Sequence, residues 1–78
     1  MRHVVVSRDL RALRVHVHGI LHLELLIDNY DGLQAWKEGS ELCTYHIEFY
    51  RKRGKPILCA YENEDLWREI LTEIVNNT

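Results

Sequence analysis

Two hydrophobic periods divide the chain, and they leave few architectures open. Through most of the first 61 residues apolar side chains recur at every second position, the period of a strand with one buried face. After Asn63 the spacing changes. Leu66, Trp67, Ile70, Leu71, Ile74 and Val75 recur as the apolar stripe of a helix. Strand alternation closed by a single helix predicts an α+β fold: an antiparallel β-meander of four to five strands with one C-terminal amphipathic helix packed on one sheet face.

The helix is expected over residues 64–75. Asn63 is its N-cap, and Glu64 and Asp65 place negative charge in the first turn, where the helix dipole favours it. Trp67 and Leu71 are expected to pack on Ile47, Phe49 and the Val15/Val17 side of the preceding sheet. Upstream, Tyr45, Ile47 and Phe49 alternate with Thr44, His46, Glu48 and Tyr50. The basic turn Arg51-Lys52-Arg53-Gly54-Lys55-Pro56 follows, and residues 57–61 return. Pairing 49 with 59 and 47 with 61 puts Phe49, Ile47, Ile57, Cys59 and Tyr61 on one face. Residues 33–37 read as a further strand and residues 28–32 as the turn before it. Val4, Val5 and Val6 form a short first strand, while residues 8–13 fit either a strand or a helical turn.

Between them lies a long alternating stretch. Val15, Val17, Leu21, Leu23, Leu25 and Ile27 fall on one side, and Arg14, His16, His18, Ile20, His22, Glu24 and Asp28 on the other. A two-residue turn at His18-Gly19 would set Val15 against His22 and mix the faces. One strand bent or bulged at Gly19 is therefore the expectation. Over residues 33–76 this order of elements resembles the closing half of pleckstrin-homology-like domains. The likeness rests on element order alone, and no motif accompanies it.

A chain of 78 residues is one small domain, with a core too small to be more than marginally stable. The longest apolar run, residues 20–27, is cut by His22 and Glu24, far short of a membrane span. The first residues lack the apolar core of a secretion signal, so a soluble cytoplasmic domain is expected. Cys43 and Cys59 are not spaced as a disulfide framework and read as reduced thiols, with Cys59 a small core residue. The net charge of −2 gives no global field for nucleic acid or anionic lipid. The charge is segregated, however, with Arg2, Arg8, Arg11 and Arg14 near the start and Glu62, Glu64, Asp65, Glu69 and Glu73 near the end.

Three readings of function compete with the plain one of solvated faces and turns. His16 and His18, two apart on a strand, could ligate zinc with His46 from a neighbouring strand, whereas the plain reading is a solvated or pH-sensitive sheet face. Arg51, Lys52, Arg53 and Lys55 could touch the phosphates of nucleic acid, although Tyr45 and Tyr50 fall on opposite faces and offer no stacking platform. Catalysis has no motif. Ser7 and Ser40 sit in turns, and Cys43 and His46, three apart on a strand, point to opposite faces. The reading favoured is a non-catalytic interaction or structural module that self-associates as a homodimer or binds another protein. One helix cannot cover both faces of a meander, and the open face would carry Ile20, His22, Leu26, Tyr50 and Leu58. No cofactor is expected under that reading, and no membrane contact; zinc or nucleic acid belongs to the alternative.

Overall fold

The computed structural model describes residues 3–77 and contains six strands and one helix. Strands β1 (Val4–Arg8), β2 (Ala12–Val17) and β3 (Ile20–Leu26) form one antiparallel sheet, in that order. Strands β4 (Tyr30–Glu38), β5 (Thr44–Arg51) and β6 (Ile57–Tyr61) form a second. A single 3-10 turn, Ile27–Asn29, separates the sheets, and helix α1 (Glu64–Asn76) closes the chain. The α+β class with antiparallel sheets is as the two periods predict. The strand count is higher, because the long alternating stretch is two strands and residues 8–13 are a strand, a turn and a strand.

The turn at His18-Gly19 is a two-residue hairpin, contrary to the single bent strand expected from alternation. Both residues have positive φ (50° and 79°), the backbone that a tight hairpin turn demands. Val17 pairs with Ile20 and His16 with Leu21, after which the register shifts, so that Val15 pairs with Leu23 and His22 is the extra residue. That bulge removes the objection to a hairpin. It returns Leu23 and Leu25 to the core side, opposite Val15 and Leu13, and sends Leu21 outward.

At the other end of β1, Asp9 builds the turn into β2. Its Oδ1 accepts from the Arg11 and Ala12 backbone N–H groups at 2.7 and 2.8 Å, and its Oδ2 accepts from Arg14 at 2.8 Å. The Arg14 hydrogen bond, then those backbone donors, hold the Asp9 carboxyl well below the usual carboxylate range. A carboxyl with a depressed folded-state pKa stabilises fully above its unfolded value of about 3.9 and loses that contribution as pH falls further. Asp9→Asn, which keeps an acceptor oxygen, should therefore lower the urea midpoint at neutral pH. The gap to the parent protein should narrow steadily below about pH 4. A gap independent of pH would assign the effect to geometry rather than charge.

In the second sheet Phe49 pairs with Ile57, Ile47 with Cys59 and Tyr45 with Tyr61. This register is two residues tighter than the pairing of 49 with 59. An even shift keeps the same side chains on the core face. The turn is drawn tighter because the Arg51 guanidinium donates to the Lys55 carbonyl, and because Asn29 grips Arg53 through its backbone N–H and carbonyl at 2.8 and 2.9 Å. Both cysteines are free thiols.

The helix begins as expected, with the Asn63 side chain accepting from the Leu66 N–H at 3.0 Å. Its buried face is different. Ile70 and Ile74, four apart, are fully buried, whereas Trp67 and Leu71 are only partly covered. The indole N–H needs a partner, and it donates to the His46 carbonyl at 3.0 Å, which keeps Trp67 at the margin of the core. The helix touches β1 as well as β5 and β6, so it lies against both sheets rather than across one. The two sheets and the helix share one core, in which Phe49, Ile47, Leu13, Val15, Val4, Ile70 and Ile74 are almost entirely out of water.

Candidate functional site

Several apolar side chains remain in solvent on the outer side of the first sheet. Val5 pairs with His16 and His16 with Leu21, so these three form one outward rung across β1, β2 and β3. Val5 and Leu21 are each about half exposed, at 50% and 51%. The next rung is Ser7, Arg14 and Glu24. Arg14 donates to both Glu24 and Asp9 at 2.8 Å, so its positive charge is met within the sheet by two carboxylates. Beyond it, Leu26 is 50% exposed; at the other end of β3, Ile20 pairs with Val17 and so has the opposite parity to Leu21, yet it is 72% exposed. Three large exposed apolar residues thus stand on β3, and β3 pairs with β2 alone among the described residues.

The residues singled out as an open face do not all share it. Ile20 and Leu26 are exposed on β3, and Leu58 is exposed on β6 of the second sheet. His22, the bulge residue, is engaged: its Nε2 lies 2.6 Å from the Tyr61 hydroxyl across the core margin. The Tyr50 hydroxyl lies 2.7 Å from Glu48 and 3.0 Å from Gln34. Val5 and Leu21 were not among the sequence candidates, because a single bent strand turns Leu21 inward. The hairpin dipeptide His18-Gly19 was the signal for it.

The histidine trio His16, His18 and His46 is not brought together. His16 belongs to the outward rung of β2. His18 sits in the hairpin turn against His3. His46 lies in the other sheet, its ring stacked on Trp36 at 5.0 Å between centroids. Glu38 Oε2 comes within 3.3 Å of His46 Nε2, yet neither ring nitrogen of His46 has a properly aligned hydrogen-bond partner. Among the described residues no three His, Cys, Asp or Glu side chains are grouped to hold a metal ion.

The basic turn is ordered by its own backbone contacts. Arg51 is spent on the Lys55 carbonyl, while Lys52, Arg53 and Lys55 extend into solvent. Tyr50 is engaged by Gln34 and Glu48 and so does not serve as a stacking platform beside these charges. The Cys43 thiol donates to the Gly39 carbonyl at 3.4 Å rather than to His46. Burial pushes the Cys59 thiol up, away from the thiolate form that reactive cysteines need.

Comparison with known proteins adds no relative. No family model, curated protein or solved structure matches the chain. The likeness in element order to pleckstrin-homology-like domains is therefore carried no further. No helix among the described residues is long and apolar enough to cross a membrane.

Proposed function

We propose that the chain is a non-catalytic interaction module that associates with a second copy of itself through β3 and the outer face of the first sheet. The supporting observation is the character of β3. Among the described residues it has an unpaired edge, three large exposed apolar side chains, and neither lysine nor proline to discourage pairing. Against pairing stand the charged Glu24 and the bulge at His22, which breaks the ladder over part of its length.

A second copy suits this surface better than a charged ligand does. Arg14 is already paired with carboxylates of its own copy, so it offers no unpaired cation to a charged ligand, and two such faces related by a two-fold axis meet without opposing guanidinium groups. The apolar rung of Val5, His16 and Leu21 would then be covered by its own equivalent. A domain this small gains from such cover, since its single core supplies little stability in reserve. The free thiols of Cys43 and Cys59 fit a reducing cytoplasmic setting.

The double substitution Ile20→Lys, Leu21→Lys tests the surface. Both positions are exposed, so the monomer should fold with a nearly unchanged circular dichroism spectrum. Two lysines per copy on a strand edge should raise the dimer dissociation constant at least a hundredfold, about 2.7 kcal/mol. Retention of the parent's association constant by a folded variant would remove β3 from the interface.

A further inference from the structure

His3 and His18 meet at one end of the first sheet, where the hairpin turn faces the first turns of the helix. Their backbones are joined by the His18 N–H donating to the His3 carbonyl at 2.8 Å. Their Nδ1 atoms are 3.3 Å apart. A direct N–H···N bond along the line of the two rings would set the ring centroids apart by the nitrogen separation plus a ring radius at each end. The centroids are only 4.7 Å apart, with the rings inclined at 64°. The two nitrogens thus lie within hydrogen-bond reach of one another but off the line that joins the ring centres.

That separation has a second meaning. Zinc binds imidazole nitrogen at about 2.0–2.1 Å, and the edge of a tetrahedron of that size is about 3.3–3.4 Å. Two histidines on one zinc ion would therefore hold their nitrogens at the distance seen between His3 and His18. The cleft beside them has a volume of about 350 Å³ and is lined also by Asn63, Asp65, Leu66 and Glu69. Asp65 and Glu69 are four apart on α1, so their carboxylates share one helix face. Glu69 Oε1 accepts from the Val4 N–H at 3.3 Å, which holds this side chain beside β1 and leaves Oε2 for another partner.

We infer that His3 and His18 form a two-nitrogen chelate for a divalent transition ion of the zinc class, completed by Asp65 or Glu69 and by water. Two neutral imidazoles and one or two carboxylates suit the charge and the ligand preference of Zn2+. The carboxylates do not stand with the imidazoles as a three-ligand group, so the ion draws at least one of them inward on binding. Bound there, the ion joins the start of β1, the β2–β3 turn and the first turns of α1, three segments far apart in the chain.

The test is calorimetric titration of the full chain with zinc sulfate at neutral pH, with thermal midpoints measured alongside. One ion per chain is expected. At a hundredfold excess over the dissociation constant, the ratio of folded to unfolded protein should rise about a hundredfold if the unfolded chain does not bind. His18→Asn keeps a residue that tolerates positive φ in the turn, and His3→Gln keeps a polar side chain of similar reach. Each should weaken zinc binding at least tenfold while the zinc-free midpoint moves little, and Asp65→Asn with Glu69→Gln should weaken it further. Absence of binding would overturn the inference. So would binding that survives both histidine changes, or a stoichiometry of one ion to two chains. Loss of binding on His16→Ala alone would also overturn it, since His16 lies on the sheet face and not in this cleft.

Discussion

Phe49→Ala is expected to cost about 3–5 kcal/mol, the usual range for emptying a phenylalanine site in a core. Phe49 is the largest fully buried side chain, and it stands on the central strand of its sheet, between Leu33 and Ile57. The core cluster around it includes residues from both sheets and the helix, so no single element can move in to fill the space. A 78-residue domain has roughly 4–12 kcal/mol in total at the usual 0.05–0.15 kcal/mol per residue. The loss therefore removes most of the stability at the lower end of that range. Urea unfolding followed by tryptophan fluorescence should show a midpoint shifted to much lower denaturant, with no folded baseline if the parent lies at the lower end of that range. A variant with an unchanged midpoint would mean that the two sheets do not share a core at Phe49.

Gly39→Ala should be the most damaging change in any loop. Gly39 has φ of 102°, and a β-carbon there would overlap the Leu42 carbonyl oxygen. Both colliding groups are held by backbone, so no flexible side chain can give way. Backbone strain at such a residue costs about 1–3 kcal/mol before the collision is added. The connection between β4 and β5 must open to relieve it, and amide exchange at Thr44 and Tyr45 should quicken accordingly. Gly19→Asn is the control: φ there is 79°, a β-carbon would meet nothing within 4 Å, and asparagine tolerates that backbone. Its midpoint should shift far less. Equal effects at the two positions would remove the role of the Leu42 carbonyl.

Local rules read the ends of the chain well and its middle less well. The helix and its Asn63 cap follow from a sustained period and one side-chain acceptor, both contained in a few neighbouring residues. The core face of β5 and β6 was legible, because an even change of register preserves it, even though Arg51 and Asn29 set the pairing two residues tighter. The β2–β3 hairpin was obscured by its own bulge. Period two is a local rule, and one extra residue at His22 resets it midway, so that a turn which mixes faces on paper keeps them separate in space. Everything that depends on that hairpin was hidden with it: the outward turn of Leu21, its rung with Val5, and the meeting of His3 with His18. Trp67 was misplaced for a different reason. Size alone puts it in the core, while its N–H requires the edge.

The molar mass of the unmodified chain in solution, from sedimentation equilibrium over a series of micromolar concentrations, bears most directly on the proposed function. A mass that rises with concentration toward twice the monomer's 9.3 kDa is expected. A mass of one chain at every concentration would contradict it.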